Sequence, residues 1–337
     1  MATGRAIGVM GAGGWGTALA KLLCERGHQV TLWCRGEESR RSIQEKRENP
    51  LYLAGIPLPP SLHVTRSLKE AVSEKDLLFC AVPSHGVREV MLGAAPHLSS
   101  RAIVVCATKG IEEGSLKTMG ELLQEILGAS GEERLAFLSG PTFAHEVAKG
   151  LPAAITVAAV QEAVRNGVQE ALSTKGLRVY TSRDIVGVQM GGVVKNVIAI
   201  AAGISDGLGL GFNARAALIT RGLAEMTRLA IKMGADPLTL AGLPGLGDLV
   251  LTCTGELSRN RRVGLLMAQG KKVEEILAEM RMVAEGVRNT RSLYLLARRF
   301  GVEMPIVEQM YLVLYEGKQP LEAVRDLMQR SLKAELP

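Results

Sequence analysis

The sequence predicts an α/β chain: a parallel-sheet domain over residues 1–181, then an all-α domain over residues 182–337. Three observations predict it. Short apolar runs alternate with longer mixed segments through the first half, the pattern of βαβ units. After about Thr181 no β run remains, and apolar residues recur at helical spacing. The stretch Gly11-Ala12-Gly13-Gly14-Trp15-Gly16 follows the first apolar run and opens a helical segment, where a doubly wound sheet carries its ligand turn.

In chain order, strands are expected at Ala6–Met10, Gln29–Cys34, Leu77–Val82, Ala102–Ala107, Leu135–Ser139, Ala153–Ala158 and Leu177–Tyr180. Their near-continuous apolar character suits a sheet covered on both faces. Thr17–Arg26, Val87–Leu98 and Leu116–Leu127 read as helices between them. In the second half Val186–Ile204, Ala214–Met233, Arg261–Ala268, Val273–Met280, Thr290–Phe300, Ile306–Tyr315 and Pro320–Leu327 read as helices, punctuated by glycine clusters at Gly207–Gly211 and Leu243–Gly247. No fixed-period repeat or low-complexity segment interrupts them.

Composition narrows the function classes. A chain of 337 residues suits two domains, and 47% hydrophobic with 22% charged residues excludes a disordered chain. The 40 basic residues against 34 acidic give +6, but they are spread out with no polybasic tail, and only 4% are aromatic. That argues against a nucleic-acid partner and leaves an anionic membrane or small phosphorylated ligands open as the anionic class. The five cysteines form no CxxC pair and the five histidines show no metal spacing, so a reducing compartment and no metal site are expected. Gly8, Gly11, Gly13, Gly14 and Gly16 break the N-terminal apolar stretch, against a signal peptide. Charges interrupt the other apolar runs well short of the ~20 residues that span a bilayer. A soluble cytoplasmic protein without a membrane partner is expected.

The glycine turn is a G-x-G-x-x-G fingerprint in strand–turn–helix context, so the first domain reads as a Rossmann-like dinucleotide-binding domain. Gly11 allows the tight turn, Gly13 the close approach of a pyrophosphate, and Gly16 the packing of helix on strand. The helix N-terminus adds free N–H groups and a positive dipole end. The second strand ends Leu32-Trp33-Cys34-Arg35, with no carboxylate for ribose hydroxyls. Arg35 suits a 2′-phosphate, so NADPH is the expected cofactor, with NADH also usable.

In the second half Lys195 lies within an apolar helix, with Gly191, Gly192, Ala199 and Ala202 at helical spacing around it. Such a lysine is seldom buried unpartnered; it suits either a proton-transfer group or a salt-bridged, snorkelling side chain. Lys109, Gly140-Pro141-Thr142 and Pro83-Ser84 follow strands, where open α/β sheets bind ligands, or where ordinary turns sit. Asp248 after Gly247 reads as a site carboxylate or a helix cap. Ser258 reads as the cap of a helix whose N–H groups, with Arg259, can converge on an anion; Arg261 and Arg262 read as solvated or paired elsewhere. From the residues alone, another dehydrogenase of the β-hydroxyacid type and a non-catalytic NADP(H)-binding sensor stay open as readings.

The chain resembles the bacterial NAD(P)-dependent sn-glycerol-3-phosphate dehydrogenase family. GAGGWGTALA (Gly11–Ala20), AVPS (Ala81–Ser84), ATKG (Ala107–Gly110), SGPTFAHEVA (Ser139–Ala148), VKNVIAIAAG (Val194–Gly203), LPGLGDLVLTCTGELSRNRRVG (Leu243–Gly264) and VAEGV (Val283–Val287) carry the likeness in family order, without departure. The resemblance implies interconversion of dihydroxyacetone phosphate and sn-glycerol 3-phosphate, the latter a precursor of glycerophospholipids. It implies Lys195 as proton acceptor. It implies substrate contacts at Lys109, Gly140, Thr142, Lys195, Asp248, Ser258, Arg259 and Asn260. Cofactor contacts would fall on Trp15, Arg35, Lys109, Ala144, Arg259, Val283 and Glu285. Burial and Lys109 are both expected to lower the pKa of Lys195. Cys253, in the implied substrate loop, is read as a packing residue before a reactive one. Apolar helical faces in the second half suit a homodimer.

Overall fold

A computed structural model describes residues 4–280, 284–332 and 334–335. One sheet contains β1 (Ala6–Met10), β2 (Gln29–Trp33), β3 (His63–Thr65), β4 (Leu77–Cys80), β5 (Ile103–Cys106), β6 (Leu135–Ser139), β7 (Ala153–Ala158) and β8 (Leu177–Ser182), in the order β3-β2-β1-β4-β5-β6-β7-β8. The expected strands are all present within two residues at either end. The three-residue β3, which begins on an exposed histidine, is too short to stand out as an apolar run.

The helices of this half are α1 (Gly14–Glu25), α2 (Glu37–Lys46), α3 (Leu68–Val72), α4 (Val87–Ala94), α5 (Met119–Leu127), α6 (Ala144–Ala148) and α7 (Glu162–Leu172). Every neighbouring pair of strands is parallel except β6 and β7. This corrects the expectation of a wholly parallel sheet. The cause is where the connecting helix docks. A parallel pair needs a crossover that lies along the sheet and returns the chain to the starting end. The five-residue α3 does this between β3 and β4, lying on β1 and β2. The equally short α6, between β6 and β7, packs chiefly on α1 instead. It makes no crossover, so β7 starts beside the end of β6 and runs back antiparallel.

The helix expected from Leu116 starts at Met119, because Thr118 and Glu121 form a reciprocal capping box. Both faces of the sheet are buried: Val9, Leu32, Phe79 and Val105 pack on one side, Met10, Leu78, Cys80 and Val104 on the other. All five cysteines are buried free thiols.

The chain runs outward from β1 through β2 to β3, then returns to β4 on the other side of β1. This reversal is where doubly wound sheets open a crevice at the carboxyl ends of their strands. The turns after β1, β4, β5 and β6 begin there; they carry Gly11–Gly16, Ala81–Ser84, Thr108–Lys109 and Gly140–Thr142.

The remaining helices are α8 (Ile185–Gly207), α9 (Gly211–Lys232), α10 (Pro237–Ala241), α11 (Asp248–Thr254), α12 (Arg259–Ala268), α13 (Val273–Glu279), α14 (Glu285–Arg299), α15 (Pro305–Tyr315) and α16 (Pro320–Met328). Leu243–Gly247, expected as a break, is a π-helical turn that feeds directly into α11. The axis of this half is α8, packed against α9, α11, α12 and α14 and touching β6. It has the length and the mean hydropathy, 1.6, of a membrane span, yet 83% of that apolar window is buried inside the protein. The α8–α12 crossing is a backbone contact. A Cβ on Gly203 would lie 2.0 Å from the Arg261 carbonyl oxygen, and one on Gly264 would lie 2.0 Å from that of Ile200. Nearby, the buried Glu225 of α9 accepts the N–H groups of Ile306 and Val307 and so caps α15; burial pushes its carboxyl up to about 7.

Candidate active site

The glycine turn after β1 is built from backbone. Gly11 holds φ +111°, which a side chain disfavours. A Cβ on Gly16 would sit 1.9 Å from the Gly11 carbonyl oxygen, so α1 can start this close to β1 only with glycine. Over Gly13, by contrast, a Cβ would meet nothing within 4 Å. Gly13 is also the N-cap of α1 and supplies no side-chain bond to its first N–H groups. An uncapped helix start beneath an open glycine fits a pyrophosphate. Trp15 and Ala144 pack with Leu53 and Ile56 beside this turn. Asn49, which belongs to no motif, donates from its amide to the Ala12 carbonyl and to Thr17 Oγ1, both at 2.9 Å.

Arg35 follows β2, with its guanidinium on the Glu89 carboxylate of α4 at 2.8 and 3.1 Å. Both side chains are largely exposed, at 70% and 71%. A pair so solvated is weak and readily exchanged.

The catalytic candidates meet where α8 passes the sheet. Lys195 Nζ is buried and donates to Asp248 Oδ1 at the start of α11, and to Thr252 Oγ1 at 3.0 Å. Lys109 Nζ, in the turn after β5, donates to the other Asp248 oxygen at 2.6 Å and to the Gly140 carbonyl at 3.3 Å. One carboxylate therefore bridges two ammonium groups. Asp248 is the first residue of α11 rather than its cap, and its side chain serves the ion pairs. Desolvation lowers the pKa of Lys195 to about 8; Asp248 opposes that shift and Lys109 adds to it. The small residues near the lysine admit neighbours: a Cβ on Gly192 would fall 2.8 Å from Ser139 Oγ and 3.1 Å from Lys109 Cγ.

Thr252 carries no functional signal in the sequence. It lies four residues after Asp248, on the same helical face, and its hydroxyl donates to the Asp248 carbonyl at 2.6 Å. Cys253 is buried, with its thiol pushed up to about 12 by desolvation, as a packing residue would be.

Ser258 caps α12, accepting the Arg261 N–H at 3.2 Å. Arg259 is the exposed first residue of that helix; partial desolvation lowers its guanidinium pKa while Glu285 opposes the shift. Asn260 joins three helices, donating to Asn196 Oδ1 of α8 at 2.9 Å and accepting the Gly286 N–H of α14 at 3.0 Å. Asn196 also donates to the Gly192 carbonyl at 3.3 Å, so it links this contact, 64 residues away in sequence, to the helix that carries Lys195. Thr142 Oγ1 bonds to the Gly140 carbonyl at 3.2 Å, and Arg261 pairs with Asp206. Val283 lies outside the described residues.

Comparison with known proteins gives one answer. Models of the NAD-dependent glycerol-3-phosphate dehydrogenase N-terminus and C-terminus match residues 6–165 and 184–325. A glycerol-3-phosphate dehydrogenase [NAD(P)+] of Citrifermentans bemidjiense is 57% identical, with 98% of each chain covered. The chain belongs to the NAD-dependent glycerol-3-phosphate dehydrogenase family. A Myxococcus xanthus relative of the same name is 51% identical over 97% of this chain and 98% of its own. The crystal structure of glycerol-3-phosphate dehydrogenase from Coxiella burnetii superposes with TM-score 0.93 at 39% identity, covering 97% and 99% of the two chains. A ketopantoate reductase from Ralstonia eutropha shares the fold at 15% identity and TM-score 0.62, covering 95% and 99%. Membership makes this chain an oxidoreductase that acts on a CH–OH group with a nicotinamide cofactor.

Proposed function

We propose that the protein reduces dihydroxyacetone phosphate to sn-glycerol 3-phosphate with NADPH, using Lys195 as the proton donor, and that NADH also serves. The observation that carries the reading is the Lys109–Asp248–Lys195 cluster beside the sheet crevice. When bound, NADPH supplies a hydride to the ketone carbon. Negative charge then develops on the ketone oxygen, where the Lys195 ammonium stabilises it and donates the proton. Asp248 keeps that ammonium charged and oriented, and Thr252 fixes its second hydrogen bond. A pKa of about 8 leaves Lys195 mostly protonated at neutral pH, yet able to release its proton. Lys109 carries a second positive charge toward the substrate. Gly140 and Thr142 border it, and the start of α12 with Ser258, Arg259 and Asn260 takes the phosphate.

On the cofactor side Gly11, Gly13 and Gly16 seat the pyrophosphate, with Trp15, Ala144, Arg259, Val283 and Glu285 around the dinucleotide. Arg35 exchanges Glu89 for the 2′-phosphate. Residues 1–181 then form the dinucleotide-binding domain and residues 182–337 the substrate-binding domain, each lending side chains to the other's ligand. The product is a backbone for glycerophospholipids. Because α8 spends its apolar surface on the core, we read the enzyme as soluble; a cytoplasmic location and a homodimer working on small molecules complete the proposal.

The test follows NADPH absorbance with dihydroxyacetone phosphate, then with NADH, then with unphosphorylated dihydroxyacetone. Turnover is expected to be fastest with the first pair and weakest without the phosphate. Equal turnover of the unphosphorylated ketone would remove the phosphate site. A preference for NADH would remove the role given to Arg35.

A further inference from the structure

Glu285 is the first residue of α14, and its carboxylate is already held. The Ser84 backbone N–H donates to Oε1 at 3.0 Å and the Ser84 hydroxyl donates to Oε2 at 2.6 Å. Ser84 is buried, at the end of the turn after β4, and lies 201 residues away in sequence. One turn further along α14, Asn289 Oδ1 accepts the Ile111 N–H at 3.4 Å, just beyond the turn after β5. The start of α14 is thus laid across the carboxyl ends of two central strands, on the side where the cofactor crevice opens. A carboxylate gripped by both donors of one residue has a fixed orientation, and charge-assisted bonds of this kind are the stronger class.

We propose that Ser84 is a positioning residue of the cofactor site: its two donors fix the Glu285 carboxylate and tie the helical half to the sheet across the crevice. The inference rests on the reading that Glu285 touches the cofactor. With the tie made, Glu285 presents its remaining lone pairs in one direction. Without the hydroxyl, the carboxylate keeps only the backbone donor and can swing toward solvent. The cofactor must then order it on binding, which weakens affinity without touching the phosphate end of the substrate site.

The experiment is a double-mutant cycle on direct binding. NADPH is titrated by its fluorescence into wild type, Ser84→Ala, Glu285→Ala and the double variant, with thermal melting as the check on folding. Steady-state constants are measured alongside. Ser84→Ala is expected to raise the NADPH dissociation constant about 3- to 10-fold, the worth of one bond to a partly exposed charge. Its effect on KM for dihydroxyacetone phosphate is expected to stay below about twofold. Glu285→Ala is expected to weaken NADPH at least as much, and the double variant no further than Glu285→Ala alone. If Glu285→Ala binds NADPH normally, the cofactor role of Glu285 fails. If Glu285→Ala weakens binding but Ser84→Ala does not, that role stands and the proposal for Ser84 is wrong. Fully additive losses would also overturn it, because Ser84 would then act without Glu285.

Discussion

The glycine turn and the lysine–aspartate cluster lie on the same crevice but are made in opposite ways. The turn uses backbone from six consecutive residues, Gly11 to Gly16, and works by what is missing: no side chain over Gly13, none between Gly16 and Gly11. The cluster uses charged side chains from three separate elements. Lys195 is 53 residues from Asp248, and Lys109 is 139 residues from it. A site made of omitted atoms is local and tolerates almost no addition. A site made of opposed charges is non-local and fails when any one charge is removed.

Lys195→Met tests that contrast most severely. It keeps the unbranched apolar stem of the side chain without the terminal ammonium and leaves Asp248 paired with Lys109, so folding and NADPH binding are expected to survive. Turnover is expected to fall about 10²–10⁴-fold, the usual contribution of a positioned proton-transfer group. If Lys195 donates the proton, wild-type reduction is expected to hold below pH 8 and to decline as pH rises through about 8, with oxidation showing the reverse. The variant loses this break, and Asp248→Asn moves it to lower pH, because the carboxylate that raises the lysine pKa is gone. A variant with near-normal kcat and an intact pH profile would assign the proton to another group.

Two single methyl groups probe the other side of the comparison. Gly16→Ala drives a Cβ into the Gly11 carbonyl and is expected to destabilise the fold by about 1–3 kcal/mol, read as a lower melting temperature. Gly13→Ala meets no protein atom, so melting is expected to stay near wild type while NADPH affinity falls about tenfold or more, as the methyl enters the cradle. If Gly13→Ala binds NADPH normally, the pyrophosphate does not lie there.

Arg259→Ala is expected to raise KM for dihydroxyacetone phosphate by about 10-fold, and to leave unphosphorylated dihydroxyacetone nearly unaffected. Equal losses on both would remove the phosphate contact and leave Arg259 only its proposed cofactor role or a structural one. The smallest effects concern cofactor preference. Arg35→Asp is expected to change the NADPH-over-NADH preference by about 1 kcal/mol toward NADH, since the guanidinium sits in solvent. Glu89→Gln is expected to move it slightly the other way, by freeing the guanidinium from an exposed pair. If neither substitution alters the ratio of kcat/KM values, Arg35 is a bystander.

How much of this is legible in the sequence follows the same division. Strands buried on both faces announce themselves as apolar runs, and seven of the eight do so. The direction of β7 does not, because an apolar run reads the same either way; what decides it is that α6 docks on α1 and not along the strands. Helix α2 escapes because Ile43 is its one buried residue, and α11 because proline and glycine lead into it. The glycine fingerprint is legible as a site from its spacing and its place after an apolar run. Lys195 is not: apolar periodicity leaves it equally a proton donor or a buried salt bridge, and folding shows the ion pair that the proposed chemistry uses. Thr252 and the Ser84–Glu285 tie depend on contacts 57 and 201 residues apart, for which a single sequence carries no local signal.

The backbone-to-backbone crossing of α8 and α12 at Gly203 and Gly264 gives the molecule a ruler. The proposed proton donor is mounted on one of these helices and the proposed phosphate seat on the start of the other. Where the two backbones meet there is no side chain to compress or repack, which restricts sliding of one helix against the other. A ketone whose phosphate sits one carbon nearer or farther is then expected to be turned over more slowly, because seating its phosphate at the start of α12 would displace its carbonyl from the Lys195 ammonium. On this view chain-length selection among phosphorylated ketones is set by two missing methyl groups, remote from every atom that reacts.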